Sequence, residues 1–243
     1  MKPIINIKGL FKSYGANQVL KGFDLQLNEG ENLVVMGKSG SGKSVMIKCI
    51  VGLEDYDAGS IEVMGKEIKF LSDEELNKIR LEIGFLFQGS ALYDSMSVRE
   101  NLEFPLRRHR EKFGNIVNTE TQVLEALTNV GLAHTIDMMP EELSGGMKRR
   151  VALARTLILQ PKVILYDEPT TGLDPQTAKE IVALMHSIRE KYKTASIVIT
   201  HDINCAKAIG DRIVLLVDGI NYAQGSFEQL EISNDKRVQA FFK

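Results

Sequence analysis

Cysteine, net charge and long apolar runs are all scarce in this sequence, and each scarcity excludes a class of protein. The two cysteines, Cys49 and Cys205, cannot form a disulfide framework, so a reducing compartment is favoured. No apolar stretch approaches the roughly 18 residues of a membrane-spanning helix, and the longest candidate, 151–159, is broken by Arg155. The first residues contain no signal-peptide core. We therefore expect a soluble chain, although its partner need not be soluble.

An excess of charge of either sign is also absent. The 30 basic and 32 acidic side chains give a formal net charge of −2, so there is no electrostatic case for a nucleic-acid partner. With 44% hydrophobic and 26% charged residues, disordered and fibrous classes are excluded. The 243 residues suit one large domain, or a domain with a subdomain, that buries a sizeable core.

Apolar patterning predicts strands in several places. Apolar and polar residues alternate in 5–7 and 23–27, as in half-buried strands. Continuous apolar runs at 33–36, 163–166 and 197–199 instead favour strands buried on both faces, as in a parallel sheet. Polar residues follow each run, and ligands of open α/β sheets bind at the carboxyl ends of strands. The pattern predicts an α/β fold with polar groups gathered in one crevice.

The stretch from about 90 to 160 is mostly helical in pattern. Ser97 is a predicted helix cap, with Glu100 three residues later completing a capping box. Ser144 is predicted to cap another helix that runs to about Leu159. A helical insertion within an α/β core is the simplest layout.

A glycine-rich motif lies between the apolar run 33–36 and the next helical pattern. It fits G-x-x-x-x-G-K-[ST] at every fixed position and sits in the strand–loop–helix context that supports this motif. It comprises Gly37, Lys38, Ser39, Gly40, Ser41, Gly42, Lys43 and Ser44. Its glycines let backbone N–H groups converge on phosphate oxygens, next to the positive end of the helix dipole. We expect Lys43 to reach the β- and γ-phosphates and Ser44 to bind Mg²⁺.

Two carboxylates follow the run 163–166. Asp167 at such a position holds the Mg²⁺ of a bound nucleotide, directly or through water. Glu168, next to it, is placed to polarise the attacking water. The phosphate loop and these carboxylates together predict hydrolysis of a nucleoside triphosphate.

A second glycine motif, Leu143-Ser144-Gly145-Gly146-Met147, lies about 20 residues before Asp167. With it, the sequence resembles the ATP-binding cassette (ABC) ATPases, whose signature is usually written LSGGQ. Met147 replaces the glutamine, which is not among the main phosphate donors, so we expect ATP binding to survive this departure.

The resemblance to this family implies roles for further residues. Tyr14 matches the aromatic residue that stacks on adenine, and Gln88 matches the glutamine that reaches Mg²⁺ and the attacking water. Residues 172–175 match the D-loop, and His201 matches the histidine that contacts the γ-phosphate. The implied cofactors are ATP and Mg²⁺, and the implied catalytic residues are Glu168, His201 and Gln88.

The resemblance also implies the architecture, which is that of a P-loop NTPase. One ABC ATPase domain over 1–243 would have a RecA-like core with a mainly parallel sheet and an N-terminal antiparallel β-subdomain, formed by 1–88 and 161–243. Residues 89–160 would form an inserted α-helical subdomain.

The signature motif has a physical reason to bind phosphate. A helix that starts after Ser144 offers unpaired N–H groups and a positive dipole end, and Gly145 and Gly146 permit close approach. The helical insertion separates this end from the phosphate loop of the same chain. In the family the phosphate comes from the facing subunit, so a second copy of the chain is the expected partner, with two nucleotides sandwiched between the two copies.

A single cassette without a membrane-spanning segment must couple its ATP hydrolysis to movements in other chains. The run 87–107 resembles the corresponding run of the Mla/Mce-type ATPases, which power phospholipid movement between the membranes of double-membraned bacteria, although Gly89-Ser90 reverses the usual order. The resemblance implies an integral-membrane permease that binds about Gly89 to Leu106 and that alone contacts lipid. The expected location is the inner face of the bacterial cytoplasmic membrane.

Three functions remain open at this point. The first is the ATPase of a phospholipid transporter, which the run 88–106 favours. The second is the ATPase of another ABC system, of the amino-acid or lipoprotein type. The third is a regulator or assembly ATPase outside transport, which uses the ATP-bound dimer as a clamp.

Overall fold

The computed structural model describes residues 3–109 and 119–242. The strands are β1 Ile5–Tyr14, β2 Asn17–Leu27, β3 Asn32–Met36, β4 Ala58–Val63, β5 Lys66–Glu67, β6 Ile83–Leu86, β7 Val163–Asp167, β8 Ala195–Thr200, β9 Arg212–Val217 and β10 Ile220–Gly225. The α-helices are α1 Lys43–Ile50, α2 Asp73–Arg80, α3 Val98–Arg108, α4 Thr119–Asn129, α5 Gly145–Leu157, α6 Pro175–Tyr192, α7 Ile203–Ile209, α8 Phe227–Glu231 and α9 Lys236–Gln239.

The first sheet is antiparallel, in the order β2-β1-β4-β5. Its register pairs Ile5 with Leu27 and Ile7 with Leu25, so the alternating apolar side chains of β1 and β2 meet on one face. This confirms the predicted antiparallel sheet near the N-terminus.

The second sheet has the order β10-β9-β3-β8-β7-β6. All its neighbouring strands run parallel except β9 and β10, which form a hairpin. The two turn residues of that hairpin, Asp218 and Gly219, both have positive φ, at 52° and 84°, as a type I′ turn requires. The mainly parallel sheet confirms the predicted α/β class.

The parallel sheet is covered on both faces, which explains why its central strands are apolar without alternation. Leu33 and Val35 of β3 point into a core shared with the antiparallel sheet and α1. Val34 and Met36 point into a second core, which contains the apolar faces of α6 and α7. The ends of these strands therefore lie at the edge of a three-layer sandwich, where a ligand can reach them.

The helices between 98 and 157 surround a third core of their own. Val98, Leu102, Leu127 and Val151 are fully buried in it. The predicted capping box at the start of α3 is present, and α5 ends at Leu157, two residues before the predicted end.

The predicted helical insertion extends through residues 110–118, which lie outside the described residues. Ala152 and Leu153 of α5 belong to the second core and not to the third. Because α5 contributes to both cores, the division into a core of 1–88 and 161–243 and a helical part of 89–160 stays a prediction. Within residues 3–109 and 119–242, no helix combines the length and the apolar character that crossing a membrane would require.

Candidate functional site

The glycine-rich loop connects the end of β3 to the start of α1. Gly42 precedes the first residue of α1 with φ 103° and ψ 5°, a left-handed conformation that favours glycine. A Cβ atom at Gly42 would lie 2.8 Å from Cγ1 of Val19, so no larger residue fits there without a shift. Since Gly42 has no side chain to cap the helix, the first N–H groups of α1 are available to an anion.

Lys43 occupies the inside of this loop. Its ammonium donates to the carbonyls of Gly37 at 2.7 Å and Lys38 at 3.1 Å, and only 7% of the residue is exposed. Burial lowers the pKa of Lys43, while the charges of Glu168 and Asp167 act to raise it. The cation therefore faces two carboxylates from within the loop that the motif predicts.

Asp167 ends β7 beside the first turn of α1. The hydroxyl of Ser44 donates to its Oδ1 across 3.3 Å, a contact between residues 123 positions apart. Burial raises the pKa of Asp167, the hydrogen bond from Ser44 lowers it, and the charge of Glu168 raises it. The pair presents the hydroxyl and carboxylate oxygens that Mg²⁺ prefers in nucleotide sites, so these residues fit the predicted metal ion.

Glu168 is held from several sides. Its backbone is left-handed, with φ 51°, a conformation that costs a residue other than glycine roughly 1–3 kcal/mol. Its N–H donates to the carbonyl of Ile199 at 2.9 Å. Its Oε2 accepts a hydrogen bond from Thr171 Oγ1 at 3.0 Å and lies 2.9 Å from His201 Nδ1. The carboxylate is thus fixed next to the histidine that follows β8.

One cavity of about 510 Å³ brings most of the predicted site residues together. It lies at the carboxyl ends of β3, β6, β7 and β8, which are four of the five parallel strands of the second sheet. Its lining is Val19, Lys38, Ser39, Gly40, Gly42, Lys43, Ser44, Val45, Gln88, Glu168 and His201.

The signature residues are not among those that line this cavity. The hydroxyl of Ser144 caps α5 by accepting from the N–H of Met147 at 3.3 Å, and Ser144 and Gly145 are exposed. A Cβ at Gly146 would lie 2.6 Å from Cγ2 of Thr177, so glycine allows α5 to approach the start of α6 closely. The phosphate loop and the signature are therefore separate within one chain.

Tyr14 is also outside the cavity lining. Its ring lies at the end of β1, with the ammonium of Lys12 4.8 Å from the ring centre. Burial and a hydrogen bond with Glu54 raise the pKa of Tyr14. Nearly half of the residue is exposed, at 46%, so its ring is open to a stacking partner.

The segment after Gln88 has an unusual backbone and an apolar surface. Ser90 and Ala91 both have positive φ, at 62° and 49°. The fully buried amide of Asn101 accepts the N–H of Tyr93 at 2.8 Å and donates to its carbonyl at 3.0 Å. The rings of Tyr93 and Phe104 lie 5.0 Å apart and are 44% and 38% exposed.

Two residues near the cavity were not expected from the motifs. Thr171 has a recognisable local signal, because a hydroxyl three residues after a carboxylate can reach back to it, as Thr171 does to Glu168. Arg149 follows the signature within a run of basic residues, 148–150, and its burial at 4% exposure is a property of the tertiary structure.

Known proteins similar to this chain share its motifs and its fold. Residues 20–171 match the sequence profile of the ABC transporter family. The methionine import ATP-binding protein MetN of Clostridium tetani is 42% identical over 216 residues, 89% of this chain and 67% of that protein. The intermembrane phospholipid transport system ATP-binding protein MlaF of Haemophilus influenzae is 38% identical over 240 residues, 99% of this chain and 90% of that protein.

A solved structure extends the similarity to three dimensions. The dimeric ATP-binding cassette MJ0796, in a post-hydrolysis state with ADP and Pi, matches with a TM-score of 0.82 and 35% identity, over 92% of this chain and 98% of that one. Relatives named for methionine import and for phospholipid transport match at similar identity. The comparisons therefore establish the family and do not distinguish between these two cargoes. The chain therefore belongs to the ABC transporter family and is an ATP-binding, ATP-hydrolysing cassette of that family.

Proposed function

We propose that two copies of this chain pair head to tail and enclose two ATP molecules. Each nucleotide would lie between the phosphate loop of one copy and residues 144–146 of the other. One observation carries this proposal: Ser144 is exposed at a helix N-terminus, away from the cavity that contains Lys43 and Glu168. A helix end with free N–H groups suits a γ-phosphate delivered by a partner. The similarity to MJ0796, a cassette whose structure is dimeric, supports the pairing of two copies.

The residues that line the cavity, together with Asp167 beside Ser44 and the exposed Tyr14, support the following roles. The N–H groups of residues 37–42 and the ammonium of Lys43 would bind the phosphates. Ser44, Asp167 and Gln88 would hold Mg²⁺, which when bound offsets phosphate charge in the transition state. Glu168 would accept a proton from the attacking water, and His201 would orient the γ-phosphate. Tyr14 would stack on adenine.

Sedimentation tests the head-to-tail pairing. The Glu168→Gln variant with Mg²⁺ and ATP should sediment as a dimer, and without nucleotide as a monomer. The outcome against pairing is a nucleotide-saturated chain that stays monomeric at every protein concentration.

We further propose that residues 89–106 bind an integral-membrane permease, which places the chain at the inner face of a bacterial cytoplasmic membrane. The exposed rings of Tyr93 and Phe104 support this, because an exposed apolar patch often marks a protein contact. Gln88 directly precedes this segment, so a change at the γ-phosphate would reach the permease through it. Replacing Phe104 by Glu should abolish co-purification with membrane proteins and leave ATP binding intact. Unchanged co-purification would contradict the proposed surface.

For the cargo we propose phospholipid, supported by the similarity to MlaF over 99% of the chain. Import of an amino acid is the second candidate, and the 42% identity to MetN of Clostridium tetani favours it. The chain and its membrane partners, reconstituted in vesicles, should show ATP hydrolysis that responds to the lipid composition and not to added methionine. The reverse response would support amino-acid import.

A further inference from the structure

Arg149 is a buried cation that the proposed roles do not use. It lies in the second turn of α5, with 4% of its surface exposed. Its Nη1 donates to the backbone carbonyl of Phe87 at 2.9 Å, and its Nη2 donates to that of Thr171 at 3.4 Å. Its Nε is buried with no hydrogen-bond partner among the described residues. A guanidinium that gives up water for neutral carbonyls is costly, which indicates a purpose other than stability.

The first of these carbonyls controls the position of Gln88. The N–H of Ser90 donates to the same Phe87 carbonyl at 3.0 Å, which closes a turn with Gln88 and Gly89 at its centre. Arg149 binds the oxygen that closes this turn. Gln88 lines the cavity from the turn whose closing oxygen Arg149 binds.

The second carbonyl belongs to the residue that holds Glu168. The hydroxyl of Thr171 donates to Glu168 Oε2 at 3.0 Å, and the N–H of Thr171 donates to the carbonyl of Glu168 at 3.3 Å. Arg149 therefore contacts two separate segments, 87–90 and 168–171, and each supplies one predicted catalytic group. Burial lowers the pKa of Arg149, and the charge of Asp167 opposes this, so the cation is also within electrostatic reach of the site.

We propose that Arg149 is a positioning residue for ATP hydrolysis, whose guanidinium spans the Phe87 and Thr171 carbonyls and so fixes Gln88 relative to Glu168. This rests on the proposed roles of those two residues. The planar fork of arginine can bind two carbonyls at once, whereas the single ammonium of lysine cannot hold both in the same geometry. Removing the guanidinium should therefore slow the chemical step and leave nucleotide affinity unchanged.

The test compares Arg149→Met with Lys148→Met, a matched change at the preceding, partly exposed residue. Single-turnover hydrolysis at saturating ATP should be about 100-fold slower in Arg149→Met, while the dissociation constant for ATP and the melting temperature stay close to those of the unchanged chain. The hydrolysis rate of Arg149→Lys should lie between that of Arg149→Met and that of the unchanged chain. Lys148→Met should hydrolyse ATP at the normal rate. A normal rate in Arg149→Met overturns the proposal, and so does an equal loss of affinity and rate.

A second substitution keeps the test valid if Arg149→Met does not fold. Thr171→Val removes the hydroxyl that binds Glu168, and it should slow hydrolysis about tenfold, while Thr171→Ser restores the rate. Where Arg149→Met folds, the hydrolysis rate of the double variant should fall by a smaller factor than the product of the factors for the two single variants, because both changes act on the same carboxylate. Independent, multiplying losses, or a normal rate in Thr171→Val, contradict the proposed positioning. Absent turnover in the unchanged chain would contradict the proposed function instead.

Discussion

His201 Nδ1 lies 2.9 Å from Glu168 Oε2, although 33 positions separate the two residues. The contact exists because β7 and β8 are adjacent parallel strands, paired through Asp167 and Ile199, so that they end at the same edge. Thr171 binds the same oxygen of Glu168. Because two neighbours hold this carboxylate in one orientation, it is preorganised to accept a proton from one side.

The first prediction concerns this carboxylate. Glutamine has nearly the same shape as glutamate but cannot accept the proton of an attacking water, so Glu168→Gln should slow single-turnover hydrolysis at least about 100-fold. Calorimetry should show that ATP binding is retained. Glu190→Gln, at an exposed position of α6, is the control and should hydrolyse ATP normally. Normal turnover in Glu168→Gln would remove Glu168 as the base.

The second prediction concerns the cation inside the phosphate loop. Lys43→Ala removes the ammonium that donates to the loop carbonyls of Gly37 and Lys38, and ATP affinity measured by calorimetry should fall about 10- to 100-fold. Lys48→Ala removes an exposed cation from the last turn of the same helix and should leave affinity unchanged. Equal affinities in both variants would contradict the assignment of Lys43.

The third prediction separates the helix cap from the interface. Ser144→Arg fills the proposed nucleotide-facing end of α5, so it should abolish hydrolysis and dimer formation while one chain still binds ATP. Its control is Ser226→Arg, because Ser226 caps α8 by accepting from Gln229 N–H at 3.3 Å, the same distance as in the Ser144 cap. Both variants lose a cap, which costs about 1 kcal/mol of stability. Loss of ATP binding by monomeric Ser144→Arg would argue against a role across the interface.

The fourth prediction concerns the pH dependence of stability. Burial raises the pKa of Asp167 above its usual 3.8, so the ionised carboxylate opposes folding at neutral pH. At a pH well below 3.8 the carboxyl group is protonated in both the folded and the unfolded chain, so it does not affect the free energy of unfolding. As the pH rises through the higher pKa of the folded chain, the buried group ionises and lowers the free energy of unfolding. Asp167→Asn should therefore raise the free energy of unfolding in urea at pH 7, with a gain that shrinks as the pH falls. A gain that grows on acidification would reverse this assignment. Magnesium and nucleotide are left out of this experiment.

The fifth prediction concerns the segment proposed to bind the permease. Asn101 is fully buried and donates to the carbonyls of Met96 and Ser97, besides its two hydrogen bonds to Tyr93. Asn101→Leu leaves the partly buried N–H of Tyr93 and carbonyl of Met96 without their side-chain partner, at about 1–3 kcal/mol each, and should lower the free energy of unfolding by about 2–4 kcal/mol. Hydrogen exchange should show faster exchange at the amide of Tyr93. Unchanged exchange there would show that Asn101 does not hold the segment.

Local patterns in the sequence predicted much of the core. The runs 33–36, 163–166 and 197–199 are buried strands, and Asp218-Gly219, a dipeptide typical of two-residue hairpin turns, joins β9 to β10. Such features depend on neighbours only a few positions apart, through burial on both faces of a strand or the φ values of a two-residue turn. The motif at 37–44 likewise predicted a glycine-rich loop between β3 and α1, in which Gly40 and Gly42 have positive φ, at 77° and 103°.

Other features depend on contacts between segments that are far apart in the sequence, and no local pattern reveals such contacts. The cost of burying Arg149 and the direction of its guanidinium follow from the packing of α5 against segments more than 20 positions away. The same holds for the contact between Ser44 and Asp167, which the motifs predicted only as two ligands of one ion. The sequence by itself determined the family, because the residues of its motifs stand at fixed spacings, and it determined the buried strands at 33–36, 163–166 and 197–199, because hydrophobic periodicity marks them. Only the tertiary structure decided which of the predicted catalytic groups touch and which cation lies buried behind them, because contacts between distant segments depend on how the layers pack.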